Sequence, residues 1–120
     1  MTNVNKRKGT AWESAVRDYL NSVRVNRANR VAQAGEDVGD IHLNGMWALQ
    51  CKDHAQARYK DWINEAAEQA KAARLPFSAV VHKRRQRKAG EAYVVMSLDT
   101  FTDIAARLEI ARMMRGSKDD

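Results

Sequence analysis

The spacing of apolar and polar positions divides the chain into eight periodic segments. Over residues 10–23 the apolar side chains Trp12, Ala15, Val16, Tyr19, Leu20 and Val23 recur at helical intervals and predict one amphipathic helix. Thr10 is the expected N-cap, with Glu13 three residues on completing a capping box. Strands are predicted at 30–34, 40–43 and 46–52, the first two separated by the polar, glycine-bearing stretch 35–39. A second helix is predicted at 56–74, its stripe of Trp62, Ala66, Ala70 and Ala73 bordered by Lys60, Asp61, Glu65, Glu68 and Lys71. Pro76, the only proline, ends it. Strands at 77–82 and 93–98 flank a basic loop closed by Ala89 and Gly90. Asp99 or Thr100 is expected to cap a last helix running to about Met114. This order predicts an α/β fold: a mixed central sheet containing an antiparallel hairpin, flanked by helices.

The hairpin can be read for register. A two-residue turn at Asn44 and Gly45 would set Asp40 opposite Leu49 and mix apolar with polar side chains on both faces. A three-residue loop, Leu43, Asn44 and Gly45, with Gly45 left-handed and a bulge, reverses the parity. Ile41, Trp47, Leu49 and Cys51 then share an apolar face, and Asp40, His42, Ala48, Gln50 and Lys52 share the other. A slip of one residue moves every side chain across the sheet, so burial selects the second register. The register that makes the better core also gathers an acid, an amide and a lysine.

Composition narrows the class of partner. The 120 residues suffice for one core and not two, so a single domain is expected, with a flexible basic arm at 1–8 and a flexible polar tail at 115–120. No apolar run spans a bilayer, and none follows the basic residues near Met1, so neither a membrane span nor a secretory signal is expected. A lone cysteine forms no internal disulfide, which fits a reducing cytoplasm. A net charge of +6 favours a polyanion, nucleic acid being the commonest. The loop 83–88 concentrates this charge: Lys83, Arg84, Arg85, Arg87 and Lys88 are candidate phosphate contacts. Lys6, Arg7, Lys8 and Arg30, with Arg24 and Arg27, extend the footprint.

Phosphodiester hydrolysis needs a cation to polarise the phosphate and acidify a water, and the shared face offers a fitting donor set. Mg²⁺ and Mn²⁺ take oxygen ligands and keep several waters. Asp40 supplies a carboxylate, and the Gln50 side-chain oxygen and the Cys51 backbone carbonyl complete the protein's share. Lys52 can position the water or neutralise developing charge, and Glu13 can reach a metal-bound water.

Helical Lys8-Gly9-Thr10-x-x-Glu13, then Gly39-Asp40-Ile41, then Gln50-Cys51-Lys52 at a strand end resemble the PD-(D/E)XK nuclease superfamily. Within it the short basic chain looks most like archaeal-type and phage Holliday junction resolvases, a resemblance covering residues 8–101 and including the strand Val80-Val81-His82-Lys83. It implies a restriction-endonuclease-like fold and a homodimeric, metal-dependent endonuclease acting on branched DNA with little sequence preference. Carried over by position, Glu13 is the helix acid, Asp40 the metal carboxylate and Lys52 the catalytic lysine. Gly39 stands where the family has proline, read as a turn preference, and Gln50 stands where it has glutamate, which removes a charge beside the metal. Glu36, Asp37 or Asp53 are candidates to offset that loss. Compactness and resemblance point to a phage-encoded protein acting in the host cytoplasm.

Plainer readings compete. Glu13 can serve as a cap alone, Asp40 as a turn residue, and Lys52 and Gln50 as solvated strand positions. Cys51-x-x-His54 lacks a second ligand pair for zinc, so Cys51 reads as a small buried residue. His42 and His82 read as strand-surface or edge residues and Gln69 as solvated. Trp12, Trp47 and Trp62 read as core. Two alternatives to a resolvase stay open: a non-catalytic junction-binding module whose site has decayed at Gln50, and an exonuclease of the same superfamily.

Overall fold

The computed structural model describes residues 4–23, 26–31 and 37–118, with the side chains of residues 4–7, 117 and 118 outside that description. The elements are α1 (Val4–Ser22), β1 (Ala28–Arg30), β2 (Ile41–Leu43), β3 (Trp47–Lys52), α2 (Tyr59–Ala73), β4 (Phe77–His82), β5 (Tyr93–Val95) and α3 (Leu98–Lys118), with a 3-10 turn at Ala89–Glu91 before β5. The five strands form one mixed sheet in sequential order. All neighbours are antiparallel except β3 and β4, which run parallel because α2 carries the chain back between them.

Burial on both faces makes an α/β sandwich. On one, Trp12 and Val16 of α1 pack on Ile41, Leu49, Ala79 and Val81. The Trp12 indole N–H donates to the Val81 carbonyl at 3.2 Å, satisfying the one polar atom that side chain buries. On the other, Trp62 and Ala66 of α2 cover Val80. Ile41 and Val80 are fully enclosed, one serving each layer. Each is worth about 1.5–3 kcal/mol relative to exposure.

Several boundaries differ from expectation. Helix α1 already runs from Val4, so Thr10 lies inside it and Glu13 belongs to no capping box. Helical backbone likewise covers 4–8 and 115–118, which the pattern assigned to arm and tail. The strand expected at 30–34 is present as Ala28–Arg30, while residues 32–34 lie outside the described residues. The chain leaves β5 after Val95, and α3 is capped by Ser97, whose hydroxyl accepts the Thr100 N–H at 3.1 Å, not by Asp99 or Thr100.

The hairpin has the expected parity and a shifted loop. Ile41 pairs with Leu49 and Leu43 with Trp47, so the loop is Asn44, Gly45 and Met46, and Leu43 belongs to β2. Asn44 and Gly45 both take positive φ, 56° and 66°. The Met46 N–H closes the turn on the Leu43 carbonyl at 3.0 Å.

Candidate active site

Where β3 ends, a polar cleft of about 440 Å³ opens between α1, the bend before β2 and the loop after β4. Glu13, Asp40, Gln50, Cys51 and Lys52 all line it, with Lys8, Asp53 and Arg85 at its edges. A second cavity of about 280 Å³, on the α1 side beneath Tyr19 and Val94, is lined by no charged residue and offers no hydrolytic chemistry.

Asp40 sits in the bend leading into β2. Its N–H bonds the Leu49 carbonyl at 3.0 Å, and its Oδ2 accepts the Cys51 N–H at 2.8 Å. An extended residue turns its N–H and C=O to the same strand edge, so the Cys51 carbonyl faces the Asp40 side as well. Burial pushes the Asp40 carboxyl up to about 6, against the Cys51 amide bond; the negative charge of Glu13 adds to the rise, Lys52 opposes it, and Asp37 adds again. Burial also drives the Cys51 thiol well above its ordinary range, with Asp40 and Glu13 adding to the shift. That thiol is no nucleophile at neutral pH.

The bend itself needs Gly39. Its φ of 104° is unfavourable for other residues and closed to proline, whose ring locks φ near −65°. The glycine is therefore a backbone requirement of this bend, stronger than the turn preference read from the sequence.

Gln50 is 5% exposed, and its Nε2 donates to Glu65 on α2 at 2.7 Å. A carboxylate takes the nitrogen end of an amide, so Oε1 is the free end. Oε1 is buried with no hydrogen-bond partner among the described residues. Leaving such an acceptor unpaired costs about 1–3 kcal/mol. A hard cation held by Asp40, Gln50 Oε1, the Cys51 carbonyl and waters relieves that cost, so the residues fit Mg²⁺ or Mn²⁺. Among the described residues no group of three or more His, Cys, Asp and Glu side chains is gathered to hold a metal, and the fitting set counts only one of these types as a side-chain donor.

Lys52 is mostly buried, with Nζ 3.9 Å from Glu65 Oε1 and 5.7 Å from the Trp62 ring centre. Glu13 approaches from α1 and lies 3.8 Å from an Arg30 guanidinium nitrogen. Asp53, its side chain 7% exposed, is held between Lys8 and Lys83, each at 3.8 Å.

Sequence reasoning missed Glu65. The apolar pattern puts it outside the α2 stripe, yet it lies one turn beyond Trp62 and one turn before Gln69, both buried. That spacing was the available signal. Gln69 is not solvated: its Nε2 donates to Asp37 Oδ2 at 2.8 Å. His82 is interior too, between the Tyr59 hydroxyl at 2.9 Å and the His54 carbonyl at 2.7 Å, which removes it from the surface. His42 is half-buried and bonds the Val38 carbonyl at 2.7 Å. Glu36, Arg24 and the side chains of Lys6 and Arg7 lie outside the described residues.

The basic loop divides by partner. Lys83 lies over Trp12, Arg84 stacks on Tyr93 at 4.8 Å, and Arg87 approaches Glu91 at 3.9 Å. Arg85 lines the cleft, and Lys88 is exposed.

Compared with family models, with curated proteins and with solved structures, the chain finds no match.

Proposed function

We propose that the chain is a metal-dependent, structure-selective endodeoxyribonuclease of the PD-(D/E)XK type, hydrolysing phosphodiester bonds in branched DNA as a homodimeric Holliday junction resolvase. The observation carrying this is the meeting of Asp40, the unpaired Gln50 oxygen and Lys52 in one cleft edged by Lys8 and Arg85. Bound Mg²⁺ or Mn²⁺ supplies polarisation of the phosphate and a more acidic water. Asp40 and Gln50 Oε1, with the Cys51 carbonyl, hold the cation. Lys52 offsets charge building on the phosphate oxygens, and Glu13 orients the attacking water from the α1 side. Arg85 and Lys88 hold flanking phosphates. Two copies supply one site for each of two strands. A phage-encoded protein at work in a host cytoplasm fits this reading.

One observation favours a second reading, a junction-binding module without catalysis: Gln50 gives the cleft an amide where the resembling family has a carboxylate. A labelled four-way junction and a matching linear duplex, incubated with Mg²⁺, Mn²⁺ or EDTA, separate the two. Symmetric metal-dependent junction cuts are expected, lowered by roughly 10²–10³ in Asp40→Ala and Lys52→Ala. Undiminished cutting by Asp40→Ala would remove the site assignment, and tight binding without cutting under either metal would leave the binding module. A circular substrate, which has no ends, distinguishes an exonuclease.

A further inference from the structure

The loop between β3 and α2 walls a second recess beside the candidate cleft. Its volume is about 380 Å³, and Lys52 and His54 line both hollows, so the two adjoin across those side chains. The buried Trp62 forms part of the lining, with Gln56, Arg58, Asp61 and Glu65 around it. A recess of this size suits one small ligand group.

Charge and shape narrow what that group is. Arg58 pairs with Asp61 at 3.1 Å, and Lys52 approaches Glu65 at 3.9 Å, so the four charges cancel. A phosphate meets as much repulsion as attraction here, whereas a neutral, polar, flat group meets neither. His54 supplies a face for such a group: its side chain is exposed, with the ring centre 5.6 Å from that of Trp62 and the planes 36° apart. Trp62 is in turn held edge-on by Tyr59 and His82, with ring centres 5.7 Å and 5.1 Å away. The backbone under His54 is fixed as well. Its carbonyl accepts from His82 Nε2 at 2.7 Å, which leaves Nδ1 to accept from the Tyr59 hydroxyl at 2.9 Å. The imidazole therefore stands on a rigid support, as an aromatic platform for a stacked, unpaired base does.

The carboxylates add a chemical preference. Among the described residues, Glu65 meets both Gln50 and Lys52 through Oε1, and Asp61 meets Arg58 through Oδ2. Glu65 Oε2 and Asp61 Oδ1 are left to accept hydrogen bonds. Such oxygens accept from the exocyclic amine of a base and repel a carbonyl oxygen at the same position, so cytosine is favoured over thymine at equal size. A paired base spends that edge on its complement and both faces on its neighbours. Only a base out of the stack can enter.

We infer that this recess receives one unpaired, amine-bearing nucleobase next to the phosphate held in the cleft, with His54 as its stacking partner and Asp61 and Glu65 as acceptors. Extrusion costs least where a base is already unpaired, so the recess directs the chain to branch points and other distortions without reading duplex sequence. The inference rests on the proposed reading of the cleft as a DNA site.

Binding in EDTA tests it apart from cutting. The full chain is titrated against duplexes identical except for a one-nucleotide bulge of cytosine, of thymine or of an abasic analogue. The cytosine bulge is expected to bind roughly 10-fold tighter than the abasic one and about 5-fold tighter than the thymine one. His54→Ala keeps the carbonyl that holds His82, so its far-UV circular dichroism should be unchanged while most of the first preference is lost. His54→Phe, which keeps a stacking face, should restore that preference. Asp61→Asn should shrink the preference for cytosine over thymine and leave the preference over the abasic bulge. Equal affinity of the wild type for the cytosine and abasic bulges would overturn the inference, as would equal losses in folded His54→Phe and His54→Ala. A cytosine preference in a protein that cuts no junction with Mg²⁺ or Mn²⁺ would keep the recess and remove the nuclease reading. Metal-dependent junction cutting without that preference would do the reverse.

Discussion

Burial of Asp40 and its proposed use as a charged metal ligand pull in opposite directions. The folded protein holds this carboxyl at about 6, above its ordinary 3.8, chiefly because burial penalises the anion. Folding therefore takes up a proton between about pH 4 and pH 6. The group's contribution to stability is fully present below about pH 4 and is lost as pH rises through 6. In EDTA, Asp40→Asn should stabilise the protein at pH 8 by on the order of 1–3 kcal/mol, an amount that shrinks towards zero near pH 4. Urea melts of both proteins at the two pH values check it, and an equal difference at both would contradict the assignment. Glu65 makes a second residue-level prediction. Its carboxylate already takes the Gln50 amide at 2.7 Å, so Gln50→Glu alone sets two anions in contact instead of improving the site. Gln50→Glu and Glu65→Gln should each lower cleavage about 10–100-fold, and the double exchange should recover most of it by keeping one acid and one amide. A gain from Gln50→Glu alone would show that the Glu65 carboxylate does not oppose an acid at position 50.

Helix α2 stops at a residue poorly suited to stopping it. Arg74 takes φ 58° at the C-terminal cap, and the Leu75 N–H reaches back to the Ala70 carbonyl at 2.9 Å, a closure that glycine makes without steric penalty. Arg74→Gly should raise stability by about 0.5–1 kcal/mol, read as a higher urea midpoint at unchanged slope; a loss would show that the arginine side chain contributes more than its backbone costs. The same element shows what the sequence could and could not reveal. Hairpin parity was legible, because the other register would set Ile41 and Leu43 on one face with Gln50 and Lys52 and break the separation of apolar from polar side chains. Loop placement was not, since Leu43 fits either a loop or a strand end without changing parity. The start of α1 was hidden because Thr10 and Glu13 have the chemistry of a cap while standing in helix. Ser97 was overlooked because Asp99 and Thr100 cap equally well by type. His82 and Gln69 were misjudged because a buried polar side chain is identified by its partners, and the Tyr59 hydroxyl and Asp37 come close only in the folded chain. At the cleft, residue types and their gathering were legible, whereas the pairing of Gln50 with Glu65 required α2 to be docked.

Across the whole molecule, a charge of +6 draws any polyanion, so specificity in phosphate contact depends on which cations are free to give their charge away. Many are already engaged. Lys83 shares Asp53 with Lys8, Arg87 faces Glu91, and Arg84 is stacked on Tyr93 with its Nη1 reaching the Glu91 carbonyl at 3.5 Å. Arg85 instead lines the cleft together with Asp40 and Lys52, where the proposed function puts a DNA strand. On the proposed function, neighbouring arginines in one loop carry different tasks, one facing DNA and one fixing the loop. Binding to a four-way junction in EDTA, measured from 50 to 300 mM KCl, separates them. Each neutralised phosphate adds about 0.9 to the slope of log affinity against log salt. Arg85→Ala should reduce that slope by about 1 and weaken binding at every salt concentration. Arg84→Ala should leave the slope unchanged, because the charge it removes was not on a phosphate. Equal loss of slope in both variants would mean that the loop releases Arg84 from Tyr93 when DNA arrives, and that the cation–π contact belongs to the free protein alone.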